Sequence, residues 1–149
     1  MDNKLKAKDF ITLGIYNVLF VIVMLIAGIT NLTPYTYLFY PFTGALFSGF
    51  IFLLAVAKVP KKGCIVLMSL VMIIYLAATG VQGMISAASI LIFAIIAEII
   101  LGSDRKNSKR IMIAYVVFTC WMSVGGEFRM FVFPDSYFAE ALQSGLDPS

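Results

Sequence analysis

The chain has 149 residues, of which 61% are hydrophobic and only 13% are charged, and its formal net charge is +3. This composition is far from that of a soluble protein and predicts a single membrane domain, 1–149. Histidine is absent, which excludes Ser-His-Asp and Cys-His catalysis and the usual zinc and haem sites. We therefore expect no enzyme, no cofactor and no metal centre. Cys64 and Cys120 are predicted to be separate core residues rather than a disulfide.

The first apolar segment, 10–29, follows a polar start that contains Lys4, Lys6 and Lys8. At 1.5 Å per residue such a helix reaches about 30 Å, which is enough to cross the hydrocarbon core of a bilayer. Asp9 is predicted to be its N-cap. The segment is too long for the apolar region of a signal peptide and is followed by no small-x-small cleavage site. The sequence therefore predicts a retained membrane span.

A basic turn, Lys58-Val-Pro-Lys-Lys-Gly63, separates two long uncharged stretches, and we call it the hinge. The stretch before it contains the second predicted span, 37–57. Proline has no amide donor and restricts the residue before it, so Val59-Pro60 should end one helix. Gly63 should then release the chain into the next helix.

Three further spans are predicted after the hinge, and their ranges are 64–79, 84–102 and 111–132. A tight turn, Gly80-Val-Gln-Gly83, joins the first two, and a basic loop, 103–110, joins the last two. The remaining residues, 134–149, form a predicted outer tail. The expected fold is thus an all-α polytopic bundle of about five transmembrane helices.

Basic residues fall almost entirely on one side of this alternating topology. Of the 11 Lys and Arg residues, ten precede the first span, lie in the hinge or lie in the loop 103–110, and only Arg129 lies elsewhere. The positive-inside rule therefore places the N-terminus and both basic loops in the cytoplasm, with the bundle in the plasma membrane. The charge is explained by membrane orientation, so we expect no nucleic-acid partner.

Small residues spaced four apart predict faces where helices approach closely. Gly44 and Ser48 form such a face in the second span, and Gly14 with Val18 forms a weaker one in the first. These residues are candidates for contact with a partner subunit. Packing inside the bundle is the alternative.

Glu98 lies near the inner end of the fourth span. An ionised carboxylate at that depth must be paired or hydrated, so it is a candidate functional group. In one reading it carries protons in a small exporter. In the other it only pairs with Lys109 or Arg110 at the interface.

A second group of polar residues is predicted near the outer surface. Glu127 and Arg129 follow Gly125-Gly126, and residues two apart on a helix do not share a face. Either the helix loosens after the glycines, or only one of the two charges points inward. The pair belongs to a solvated helix end or faces a ligand. Trp121 and Gln82 are candidates to line the same substrate pocket.

Four segments of the chain form a characteristic order. They are Lys-Ala-Lys-Asp-Phe10 before the first span, the hinge with the Ala57 that precedes it, Ala97-Glu98 in the fourth span, and Ala114-Tyr-Val-Val-Phe118 in the fifth. Over residues 4–138 this order resembles that of the MptD or Trep_Strep family, which is grouped with the S components of energy-coupling factor (ECF) transporters.

The resemblance implies a membrane subunit that captures a vitamin-like or other micronutrient compound from the outside. Its expected partners are a transmembrane coupling protein and two cytoplasmic ATPases, which supply ATP hydrolysis. S components commonly present an Ala-x-x-x-Ala face on the first helix, and its nearest match here is Gly14 to Val18. They typically have six helices, whereas this sequence predicts five. Two alternatives stay open, a structural or regulatory membrane subunit without a ligand and a proton-coupled exporter.

Overall fold

The computed structural model describes residues 5–29 and 39–135, and this part of the chain forms five helices and no strand. In chain order the helices are α1 (Ala7–Gly28), α2 (Tyr40–Lys58), α3 (Cys64–Ala77), α4 (Val81–Leu101) and α5 (Ser108–Val132). The predicted all-α class is confirmed. Every helix begins and ends within three residues of a predicted apolar segment. The predicted outer tail lies outside the described residues from position 136 onward.

Three helices in the described ranges are long and apolar enough to cross a membrane, namely α1, α2 and the part of α4 from Gly83 to Leu101. The third helix, α3, is apolar but has only 14 residues, a length of about 21 Å. It stops at Ala77, and the turn that follows contains Gly80, whose φ is 94°. Because this left-handed conformation suits glycine and interrupts a helix, α3 is shorter than predicted.

The hinge has the predicted form. The second helix, α2, ends at Lys58 with Val59 as its C-cap, directly before Pro60. Gly63 precedes α3 with a φ of 85°, a conformation that other residues adopt only with strain. The chain therefore reverses within a few residues and sets α3 beside α2.

The start of α1 differs from the prediction, because Lys6 is the N-cap and Asp9 lies in the first turn. One carboxylate oxygen of Asp9 accepts the backbone N–H of Lys6 at 2.7 Å and the ammonium group of Lys61 at 2.6 Å. The prediction of Asp9 as the N-cap is therefore wrong. Its carboxylate instead accepts a backbone N–H at the helix start and ties α1 to the hinge.

Neighbouring helices pack side by side, and an aromatic cluster joins three of them. The fourth helix, α4, lies between α3 and α5, while α1 contacts α2 and α3. In the centre, the rings of Phe52 on α2 and Phe118 on α5 stack with centroids 5.3 Å apart. Phe20 on α1 reaches Phe118 at 6.1 Å, and Tyr115 on α5 reaches Phe52 at 5.1 Å. The cluster joins the first, second and fifth helices.

The two cysteines differ in environment, and both are free thiols. Cys64 is fully buried at the start of α3, as predicted. Cys120 is exposed on α5, so its prediction as a core residue is wrong. Its position faces away from the neighbouring helices, while the next residue, Trp121, faces them.

Candidate functional site

A buried ion pair joins the end of α4 to the loop that follows it. The guanidinium group of Arg105 contacts one carboxylate oxygen of Glu98, and the two side chains are only 5% and 12% exposed. The other oxygen of Glu98 accepts the backbone N–H of Ile65 at 2.6 Å. The predicted pairing of Glu98 with Lys109 or Arg110 is therefore wrong, because a nearer base occupies the carboxylate.

Arg105 is a residue of this site that was not predicted, because the sequence shows it only as one of several bases in the loop 103–110. Its guanidinium also donates to the backbone carbonyls of Lys61 at 2.6 Å and of Gly102 at 3.2 Å. The arginine thereby connects the loop after α4 with the hinge. The sequence signal was Gly102, because a glycine directly after an apolar run commonly ends a helix in a left-handed conformation. Its φ is 55°, and the chain folds back there toward Glu98.

An open cavity of about 390 Å³ lies beside this ion pair, between α3 and α4. Its walls contain apolar side chains from both helices, and its polar end contains hinge and loop residues. The lining residues are Lys62, Gly63, Val66, Ile95, Glu98, Ile99, Gly102, Ser103 and Arg105. The cavity therefore joins a charged end to an apolar wall, and no pattern in the sequence predicted it.

A different polar feature lies in the interior on the side of Trp121. This residue is 3% exposed, and its indole Nε1 has no hydrogen-bond partner among the described residues. One turn further along α5, a Cβ on Gly125 would lie 2.9 Å from the Cα of Ser86 on α4. The hydroxyl of Ser86 donates to the carbonyl of Gly125 at 2.9 Å. An unpaired N–H thus lies in an interior where α4 and α5 approach closely.

The other predicted ligand residues are described only in part. The fifth helix continues without a break through Gly125-Gly126 to Val132, so the alternative that the helix loosens there is wrong. Glu127 is half-buried on this helix. Arg129 lies in α5 and Gln82 in the first turn of α4, and the side chains of both are outside the described part of the structure. Their contribution to a substrate pocket stays a prediction.

Two of the predicted partner-contact residues face the interior of the bundle. A Cβ on Gly44 would lie 2.9 Å from the methyl carbon of Met122. Ser48 is fully buried, and its hydroxyl lies 3.5 Å from that of Tyr115. Both residues therefore serve packing within the subunit, which was the alternative to partner contact.

The other two, Gly14 and Val18, lie on the outside of α1. Apart from its chain neighbours and the backbone of α1 itself, no described atom lies within 4 Å of the position that a Cβ would take on Gly14, and the Val18 side chain is exposed. Exposed apolar side chains surround them on the same helix, including Ile11, Ile15 and Ile22. This face is open to lipid or to another protein, and partner contact here stays a prediction.

Comparisons with known proteins give one relationship. The chain matches no curated protein and no solved structure. It does match a family described as hypothetical bacterial integral membrane proteins, over residues 7–149. That range includes all five helices, the hinge and the buried ion pair. The chain therefore belongs to the Trep_Strep family of bacterial integral membrane proteins.

Proposed function

We propose that this protein is the substrate-binding S component of an ECF-type importer, and that its substrate is a vitamin-like or other micronutrient compound. Its membership of a bacterial membrane-protein family and the resemblance of its elements to S components support this proposal. The observation that carries it is the buried Trp121 indole, whose N–H has no partner among the described residues. A buried tryptophan N–H usually finds an acceptor, and a bound ligand would supply one here.

The depth of Trp121 suits a substrate that enters from outside. The residue lies 13 positions after Ser108, the first residue of α5, and thus about 20 Å from the end of the bundle that carries the basic loops. With those loops in the cytoplasm, the indole lies in the outer half of the membrane. S components capture substrate on that side.

In the proposed mechanism, the indole N–H donates to a carbonyl oxygen or ring nitrogen of the substrate, and the indole ring packs against its apolar part. Glu127, Arg129 and Gln82 bind polar substituents at the outer entrance. The exposed face of α1 around Gly14 and Val18 docks on the coupling protein. Two partner ATPases then supply the energy that moves the loaded bundle and releases substrate inside.

The arrangement of Glu98 argues against the exporter alternative. One of its oxygens contacts Arg105 and the other accepts the N–H of Ile65. A proton carrier needs a carboxylate that is open to a proton path, whereas both oxygens of Glu98 already make contacts that hold α4 to the following loop and to α3. The other alternative, a structural subunit without a ligand, would leave the Trp121 N–H buried and unpaired with no gain in function.

Intrinsic fluorescence tests the proposal directly, because Trp121 is the only tryptophan in the chain. The purified protein, in detergent and bound to its coupling protein, would be titrated with a panel of vitamins and related compounds. We expect a saturable change in emission for one chemical class. The same compound at about a hundred times its dissociation constant should stabilise the protein by about 2.7 kcal/mol.

The matched variant is Trp121→Phe, which keeps an aromatic ring and removes the N–H donor. We expect its affinity for the same compound to fall about tenfold or less, as the loss of one hydrogen bond predicts, when measured by calorimetry. A folded protein that shows no emission change with any compound, alone or in complex, would overturn the proposal.

A further inference from the structure

We infer that the cavity between α3 and α4 binds an anionic phospholipid, with the headgroup at the hinge end and an acyl chain along α4. This site is separate from the proposed substrate site. It lies beside the Glu98–Arg105 pair, whereas Trp121 lies further along the bundle. The inference does not depend on the identity of any substrate.

The polar end of the cavity has an excess of positive charge. Lys62 and Arg105 line it together with Glu98. The carboxylate is already matched, since it contacts Arg105 and accepts the N–H of Ile65. A guanidinium has five N–H donors. In Arg105 each of the three nitrogens donates one hydrogen bond to a described residue, so three donors are in use. Two donors therefore remain for an anion.

A further base lies close to this end. The Nη1 atom of Arg110 is 3.4 Å from the position that a Cβ would take on Gly102, which is itself a lining residue. Lys62 is exposed at the cavity and makes no ion pair in the described ranges. Asp104, the acidic residue of the loop 103–110, is exposed and does not line the cavity. A phosphate group would therefore meet mostly donors and positive charge.

The apolar wall distinguishes a lipid from a small soluble anion. Val66 of α3 and Ile95 and Ile99 of α4 line the cavity below its charged end. The two isoleucines are 45% and 73% exposed, so in a bilayer they face the acyl chains. Inorganic phosphate would gain nothing from this wall, whereas a phospholipid covers the wall and reaches the bases with the same molecule.

The position and size of the cavity agree with this ligand. It lies where α3 begins and α4 ends, next to both basic loops, which is the depth of lipid headgroups in the adjoining leaflet. Basic pockets between membrane helices on the cytoplasmic side bind the headgroups of anionic lipids in other proteins. A volume of about 390 Å³ is in the range of small-molecule sites. It accommodates a headgroup and the first part of one chain.

Native mass spectrometry of the full chain in detergent tests this inference. The protein would be titrated with phosphatidylglycerol and, separately, with phosphatidylcholine of the same chain length. We expect one phosphatidylglycerol molecule to bind with at least fivefold higher affinity. Lys62→Gln should reduce that affinity about fivefold, the factor expected for one base beside an anionic lipid.

The control variant is Lys58→Gln, which removes an exposed base from the same basic region without altering the cavity. It should leave phosphatidylglycerol binding unchanged. Equal losses in the two variants would mean diffuse attraction to the surface and would overturn the site. Equal binding of the two lipids would also overturn it. Displacement of the lipid by millimolar inorganic phosphate or glycerol phosphate would assign the cavity to a soluble anion and not to a lipid.

Discussion

At the basic-loop end of the bundle, charged groups join segments that are far apart in the sequence. On the Trp121 side, by contrast, α4 and α5 meet through glycine and serine. Asp9 reaches Lys61, and Arg105 reaches both Glu98 and the Lys61 carbonyl. Near the membrane surface, water and headgroups lower the cost of placing such charges. Close backbone approach through small residues is a second means by which membrane helices associate. We therefore expect a stable anchor at the first end and a more adjustable contact at the second.

The largest effect should come from the buried ion pair. Arg105→Met leaves the Glu98 carboxylate without its partner, and we expect the free energy of unfolding to fall by about 3 kcal/mol. The double variant Glu98→Gln/Arg105→Met removes both charges and should recover most of that loss. Unfolding would be followed by circular dichroism in mixed micelles with an increasing fraction of denaturing detergent.

The control is Lys106→Met, which removes an exposed base from the same loop and should change the free energy of unfolding little. If the double variant were less stable than the single, the comparison would fail at this end.

A smaller loss is expected where α4 and α5 approach each other. In Gly125→Ala the new methyl group would meet the Cα of Ser86 at 2.9 Å and the Cβ of Ser89 at 3.1 Å. The helices must separate to admit it, so we expect a loss of about 1–3 kcal/mol in the same unfolding assay. Gly14→Ala is the matched control, because its new methyl group would meet no described atom of another helix within 4 Å. Equal effects of the two alanines would show that helix propensity, and not contact, determines the result.

The smallest effect concerns the hydrogen bond between these helices. Ser86→Ala removes the donor to the Gly125 carbonyl, and we expect a loss of about 0.6 kcal/mol, as for other interhelical hydrogen bonds in membranes. In contrast, the hydroxyl of Ser89 donates to Ile85 on its own helix at 3.0 Å. Ser89→Ala should therefore cost less than Ser86→Ala. The opposite order would mean that this hydrogen bond does not hold α4 to α5.

The fold was largely predictable because uncharged runs and turn residues determine where membrane helices begin and end. Val59-Pro60 and Gly63 identified the hinge, and the structure has the helix ends there. Which side of each helix faces the core was less predictable than where the helix begins and ends. Gly44 and Gly14 each lead a small-residue pair with the same spacing, yet the first is buried and the second is open. In a membrane helix the faces toward lipid and toward the core are both apolar, so periodicity does not separate them.

The candidate sites were harder to predict than the fold, because they depend on contacts between residues that are far apart in the sequence. Arg105 is one of several bases in its loop, and only the turn at Gly102 decides that it reaches Glu98. The cavity between α3 and α4 combines residues from the hinge, two helices and a loop. No local pattern contains all of them. Trp121 was selected from the sequence, but the absence of a partner for its N–H could be recognised only from its described neighbours.

The short third helix has a consequence for the surrounding bilayer. Its 14 residues rise about 21 Å, about 9 Å less than a typical hydrocarbon core. Its outward-facing side chains, such as Ile74 and Tyr75, are exposed on this flank, and we expect the hydrophobic mismatch there to thin the bilayer locally. Lipids with shorter or more disordered chains relieve that mismatch at the lowest elastic cost. The protein should therefore partition into the thinner regions of a membrane of uneven thickness.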